Sequence, residues 1–170
     1  SMAALSAEES IPGLVVLQRL SAASLSPDEM TEETEITDEI IGRSARLTAL
    51  FEILDEVKAR GEKAIVFVQH LKLQQALARA IRKKYDLDHL PGMISGSMQA
   101  DARQRVVANF QNGPAGEFDA VVLMGRAAGT GLTLTAANHV IHLERGWNPA
   151  VEDQCSDRAY RIGQTKDVTI

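Results

Sequence analysis

AIVFVQHLKLQQALARAIRKKY, residues 64–85, changes its period halfway along. The first six residues are apolar apart from the closing glutamine and rich in β-branched side chains, as a strand covered on both faces requires. From residue 71 the apolar positions recur at helical spacing as far as Tyr85. A buried strand running straight into an amphipathic helix is the building unit of a parallel α/β sheet.

The same alternation extends in both directions. Upstream, SARLTALFEILDEVKARG (44–61) predicts a helix that Ser44 can cap and Gly61 can stop. GLVVLQRLSAASL (13–25) predicts an earlier amphipathic helix. Downstream, GMISG (92–96) predicts a strand and QADARQRVVANFQN (99–112) a helix; DAVVLM (119–124) and HVIHLE (139–144) are further strands. A helix over 149–162 precedes DVTI, read as a strand that the chain end cuts short. The expected fold class is α/β, a parallel sheet with helices on both faces. Such sheets meet their ligands at the loops on the carboxyl ends of the strands.

Composition narrows the function classes. The chain has 170 residues and 45% apolar content, enough for one core. Its one cysteine, Cys155, excludes an internal disulfide and offers no zinc spacing, which suits a reducing compartment. No apolar run approaches the ~20 residues that cross a bilayer, so no membrane partner and an intracellular location are expected. Ser1-Met2 reads as a cloning remnant, and the sequence is expected to be a piece of a longer protein.

The net charge of −5 hides a segregation. Residues 1–40 hold nine acids against one base, leaving 14 acids and 17 bases beyond. SPDEMTEETEITDE (26–39) reads as a solvated or disordered loop, the alternative being an acidic segment that screens a basic face. Residues 1–43 are expected to form an amino-terminal helix plus this flexible loop, packed on or leading into the main domain of residues 44–170.

Two loops carry candidate chemistry. GRAAGTGLTLTAAN (125–138) has glycines on either side of Thr130, which let a backbone approach a phosphate or sugar, but a plain strand-to-helix turn explains them as well. It is neither GxGxxG, since Leu134 stands at the third glycine, nor a Walker A loop. On the helix 149–162, Gln154, Arg158 and Arg161 share one face. Paired guanidiniums suit phosphate oxygens; a solvated face with Glu152, Asp153 and Asp157 as ion-pair partners is equally compatible with the spacing. Arg103 and Arg105 are read as helix-surface charges. His139 and His142 point to opposite faces of their strand, so no metal is assigned to them.

Taken together, AGTGLTLTAANHVIHLERGWNPAVEDQCSDRAYRIGQTKDV (128–168) resembles motifs five and six of the Snf-type (Swi/Snf-like) ATP-dependent DNA translocases of helicase superfamily two. The WNP and DRA-x-RIGQ elements are specific. KAIVFVQH resembles the strand of motif four, SGSMQADARQRVVANFQ a glycine-serine segment with its arginine-bearing helix, and SARLTALFEIL the helix that opens the second lobe. The resemblance spans residues 13 to 170.

The resemblance implies a RecA-like three-layer sandwich, the second (C-terminal) of two lobes that clasp ATP and Mg2+ between them. The first lobe of the same polypeptide would bring the Walker A lysine and the acidic magnesium ligand. Arg158 and Arg161 are implied as phosphate-contacting and catalytic, with Arg161 the arginine finger and Gln154 its companion. Gly129, Thr130 and Gly131 are implied beside the nucleotide; Ser95, Gly96, Ser97, Arg126, Thr130 and Trp147 near the backbone of double-stranded DNA. Trp147 could equally anchor its loop in the core. Thr130, Thr133, Glu144, Tyr160, His70 and Arg46 depart from the family's usual residues. No Walker A sequence occurs, so the isolated chain is expected to be a monomer that does not hydrolyse ATP. The location would be cytoplasmic in a bacterium and nuclear in a eukaryote. A strand-separating helicase of the same superfamily, a non-enzymatic binding module and a free-standing Rossmann-like enzyme are the competing readings.

Overall fold

The computed structural model describes residues 30–31, 33–125, 132–144 and 169. Four parallel strands, β1 (Lys63–Val68), β2 (Gly92–Ile94), β3 (Asp119–Met124) and β4 (His139–His142), lie in the order β2-β3-β1-β4. The described helices are α1 (Asp38–Arg43), α2 (Ala45–Ala59), α3 (Leu71–Tyr85) and α4 (Ala100–Asn112).

β1 is the centre. It pairs with β3 over all six residues and with β4 over four, and every one of its residues is buried. Its alternate side chains feed two cores. Ala64, Val66 and Val68 pack with α2 and α3 on one face, while Ile65 and Phe67 pack with Phe110 of α4 and with Leu132 and Leu134 on the other. Two covered faces explain why the strand reads as a continuous apolar run rather than an alternation.

Local signals set the boundaries of α2. The Ser44 hydroxyl accepts the N–H of Leu47 at 3.3 Å, as the sequence predicts. At the other end Gly61 stands at φ +61°, its N–H donating to the carbonyl of Lys58 and that of Glu62 to Val57. Those two bonds form a Schellman ending, which selects glycine.

Two strands are shorter than the sequence predicts, stopping at Ile94 and His142 instead of residues 96 and 144. Ser95 and Glu144, just beyond these ends, bond to other groups at the sheet edge. Thr169 exchanges backbone bonds with Asn138 and Val140 at 2.8 Å each, a single parallel bridge on the outer flank of β4.

The acidic segment requires a correction. Its described residues are anchored rather than free: Met30 and Ile36 are buried in the core of α2 and α3, Thr31 and Thr34 close a small turn, and Asp38 begins α1. Apolar side chains at 30, 36, 40 and 41 outweigh the charges between them. The expected helices 13–25 and 149–162 lie outside the described residues. No described helix is long and apolar enough to cross a membrane.

Candidate nucleotide and nucleic-acid edge

The carboxyl ends of the four strands lead into Gln69, the Ser95–Ser97 turn, Gly125 and Glu144. From β1 the chain leaves towards β3 and β2, whereas beyond β4 it reaches Thr169 on the opposite flank. The connections therefore diverge between β1 and β4, the position where parallel sheets open a ligand crevice.

Gln69 and Glu144 occupy that divergence. The Gln69 N–H donates to Glu144 Oε2 at 2.7 Å, and His70 Nε2 lies 3.8 Å from Glu144 Oε1. The Glu144 side chain is only 12% exposed, so its carboxylate is spent on holding two strand ends together. The Gln69 amide also packs over Gly125, where an added Cβ would lie 3.4 Å from its nitrogen. A bulkier residue at 125 would crowd the start of the glycine loop.

The return of that loop is fixed from α4. Gln111 donates to the Thr135 hydroxyl at 3.0 Å and accepts the N–H of Ala136 at 2.7 Å. Leu132, Leu134 and Ala137 are buried beneath it. The described part of the segment, residues 132–138, passes through a turn at residues 135–136 into β4.

At the end of β2, Ser95, Gly96 and Ser97 form an outward turn with the two hydroxyls 3.2 Å apart and Gly96 and Ser97 exposed. Two side chains hold it from below. Gln74 of α3, 1% exposed, donates from Nε2 to the carbonyls of Ile94 at 3.0 Å and Val122 at 2.7 Å. Arg103 donates to the Met98 carbonyl at 2.8 Å, and its Nε is buried without a partner among the described residues. Arg103 is thus a brace for the turn, correcting its reading as a surface charge; Arg105 is exposed as expected. Gln74 escaped sequence reasoning because a glutamine amid helix formers resembles a solvent-facing residue.

The opposite, amino-terminal edge is structural. His139 pairs through Nε2 with the carboxylate of Glu62, whereas His142, at the carboxyl end of β4 and on its other face, stacks on Phe67 at 5.1 Å. The hydrogen bond from His139, aided by Asn138 and opposed by burial, holds the Glu62 carboxyl below its usual range. Lys63, 5% exposed, donates to the carbonyls of Phe110 and Gly113 and neutralises the carboxyl end of α4. Among the described residues no group of three His, Cys, Asp or Glu side chains could hold a metal ion. Arg126, Gly129, Thr130, Gly131, Trp147, Gln154, Arg158 and Arg161 lie outside the described residues; of the residues named from the resemblance, Ser95, Gly96 and Ser97 are described.

The parallel sheet between helix layers, with a crevice where its connections diverge, is that of a RecA-like helicase lobe, as its likeness to SWI2/SNF2 ATPase structures shows. The chain belongs to the helicase conserved C-terminal domain family, which matches residues 41–163. Within it the chain is a C-terminal lobe of the Snf type. It is 39% identical over 139 residues to YwqA of Bacillus subtilis (strain 168), covering 82% of this chain and 14% of that protein. It is 33% identical over 137 residues to the chromatin-remodeling ATPase INO80 of Saccharomyces cerevisiae (strain YJM789), covering 81% of this chain and 9% of the other. Among solved structures, the Sulfolobus solfataricus SWI2/SNF2 ATPase core in complex with dsDNA superposes with a TM-score of 0.61 at 34% identity, over 75% of this chain and 26% of that one. The chain therefore spans under a sixth of the length of these curated relatives.

Proposed function

We propose that this lobe is the second half of an ATP-dependent motor that moves along double-stranded DNA. The observation that carries the reading is the convergence at one edge of the Ser95–Ser97 turn, the Gly125 loop and the Glu144 tie that leads into the arginine segment. The dsDNA held by the Sulfolobus relative supports the choice of nucleic acid.

In this reading Arg158 and Arg161 face the γ-phosphate of a nucleotide clasped against the first lobe, Arg161 as the finger and Gln154 as its companion. Phosphoryl transfer spreads charge over the equatorial oxygens, and in small GTPases a guanidinium supplied there is worth ~10³–10⁵ in rate. ATP with Mg2+ would supply the bond whose cleavage drives the lobes apart; the residues that hold magnesium belong mainly to the first lobe. At the junction of β1 and β4 the described edge suits an anionic ligand, because the carboxylate of Glu144 is already engaged. Gly129, Thr130 and Gly131 lie by the nucleotide. Ser95, Gly96, Ser97, Arg126, Thr130 and Trp147 meet the phosphate backbone, positioning the duplex without reading its sequence. The chain alone lacks a Walker A loop and does not turn over ATP.

The test is Arg161→Ala in the intact protein. DNA-stimulated ATPase should fall at least tenfold, equal to ~1.4 kcal/mol of barrier. Unchanged turnover would remove the finger assignment, and turnover by the isolated 170 residues at motor-like rates would remove the half-site reading.

A further inference from the structure

The outer face of α3 carries a cationic stripe that the nucleotide edge does not use. Lys72, Arg79 and Lys83 follow one another at seven and four residues, so they share a helical face, with Arg82 beside them. The stripe starts at the carboxyl edge, where Lys72 lies in the first turn of α3, and runs for about 16 Å at 1.5 Å per residue. Beside its far end is a depression of about 410 Å³ lined by Arg79, Arg82, Lys83, Leu87, Leu90 and a single carboxylate, Asp86.

Oxygen acceptors already lie on this face. Arg79 Nη2 donates to the Thr34 carbonyl at 3.1 Å, and Lys83 Nζ sits 3.8 Å from Glu35 Oε2. Both acceptors come from the acidic segment, whose buried Met30 and Ile36 pin it to the same helix layer. The Lys83 and Glu35 side chains are 82% and 69% exposed, so their pairing adds little to stability, and the apolar anchors hold the segment. The charges decide what else can occupy the face.

We propose that the stripe Lys72, Arg79, Arg82 and Lys83 is a second contact for the phosphate backbone of duplex DNA, continuous with the carboxyl edge, and that the acidic segment is its resident competitor. This rests on the duplex-DNA reading above. A row of three exposed cations, Lys72, Arg82 and Lys83, with the half-buried Arg79 among them, already accommodates a carbonyl and a carboxylate and suits phosphate oxygens, which need position and charge but no base readout.

The experiment measures duplex affinity of the full-length protein against salt, for wild type, Lys72→Ala/Lys83→Ala and Glu33→Gln/Glu35→Gln. Both lysines are exposed, so their removal leaves the core intact. Loss of two phosphate contacts should make the slope of log affinity against log salt less negative by about 2. The glutamine pair should tighten binding severalfold at low salt. An unchanged slope in the double-lysine variant, beside salt-sensitive wild-type binding, overturns the stripe alone; unchanged affinity in the glutamine pair overturns the competitor role. A wild type with no salt-sensitive duplex binding overturns the DNA reading itself. Capture of a poly-glutamate peptide in place of DNA, lost in the double-lysine variant, would assign the face to an acidic protein and overturn the proposal.

Discussion

Glu144 and Gln69 are joined across two strand ends: the carboxylate that follows β4 accepts the backbone N–H that follows β1, at 2.7 Å. That bond fixes where the segment towards the arginines leaves the sheet. Glu144→Ala is expected to cost about 1.5–3 kcal/mol, the range for a hydrogen bond to a charged group. Glu144→Gln, which keeps an acceptor oxygen, should cost less. Urea unfolding of the lobe measures both; equal stability of all three proteins would show that the tie is idle.

Gln74 is expected to matter more than its helix position suggests. Gln74→Leu fills a similar volume but leaves the carbonyls of Ile94 and Val122 without this donor, a loss of about 1–3 kcal/mol. Because Ile94 leads directly into the Ser95 turn, amide exchange at Gly96 and Ser97 should accelerate in the same variant. Exchange indistinguishable from wild type would mean that the turn is held by other contacts.

At Gly61 two penalties coincide. Its φ of +61° disfavours any side chain, and a Cβ there would lie 2.2 Å from the Gly116 carbonyl oxygen. Gly61→Ala should therefore lower the thermal midpoint by several degrees, as expected for a loss above ~1 kcal/mol in a domain of this size. A midpoint within about one degree of wild type would contradict this clash as a source of instability.

Acid sensitivity should report the Glu62–His139 pair. The folded-state pKa of Glu62 lies below its ordinary value of 4.5, chiefly through the His139 hydrogen bond. The stability it contributes is therefore fully present above pH 4.5 and disappears as pH falls through the lower folded value. Glu62→Gln should be less stable than wild type near neutrality, with the gap narrowing in acid. A gap that stays constant with pH would place the origin of the effect elsewhere.

Much of the architecture was legible because periodicity and caps agree. The residues of β1 are apolar on both faces since both are covered, and α2 begins and ends on Ser44 and Gly61 as their chemistry demands. The supports of the site were not legible. Gln74, Arg103 and Lys63 act through contacts to residues 20, 5 and 47 positions away, and a polar side chain does not disclose such partners in the linear chain. The acidic segment misled for a related reason. Its charges dominate the composition, whereas Met30 and Ile36 decide where it lies.

β1 is hydrogen-bonded along both edges and sealed above and below by side chains. Tension applied at its carboxyl end is therefore met in shear by neighbouring strands, which resist far better together than a frayed edge would singly. For the motor proposed above, such a strand would be the stiff beam: loops could yield and reset while the body that carries them kept its shape from stroke to stroke.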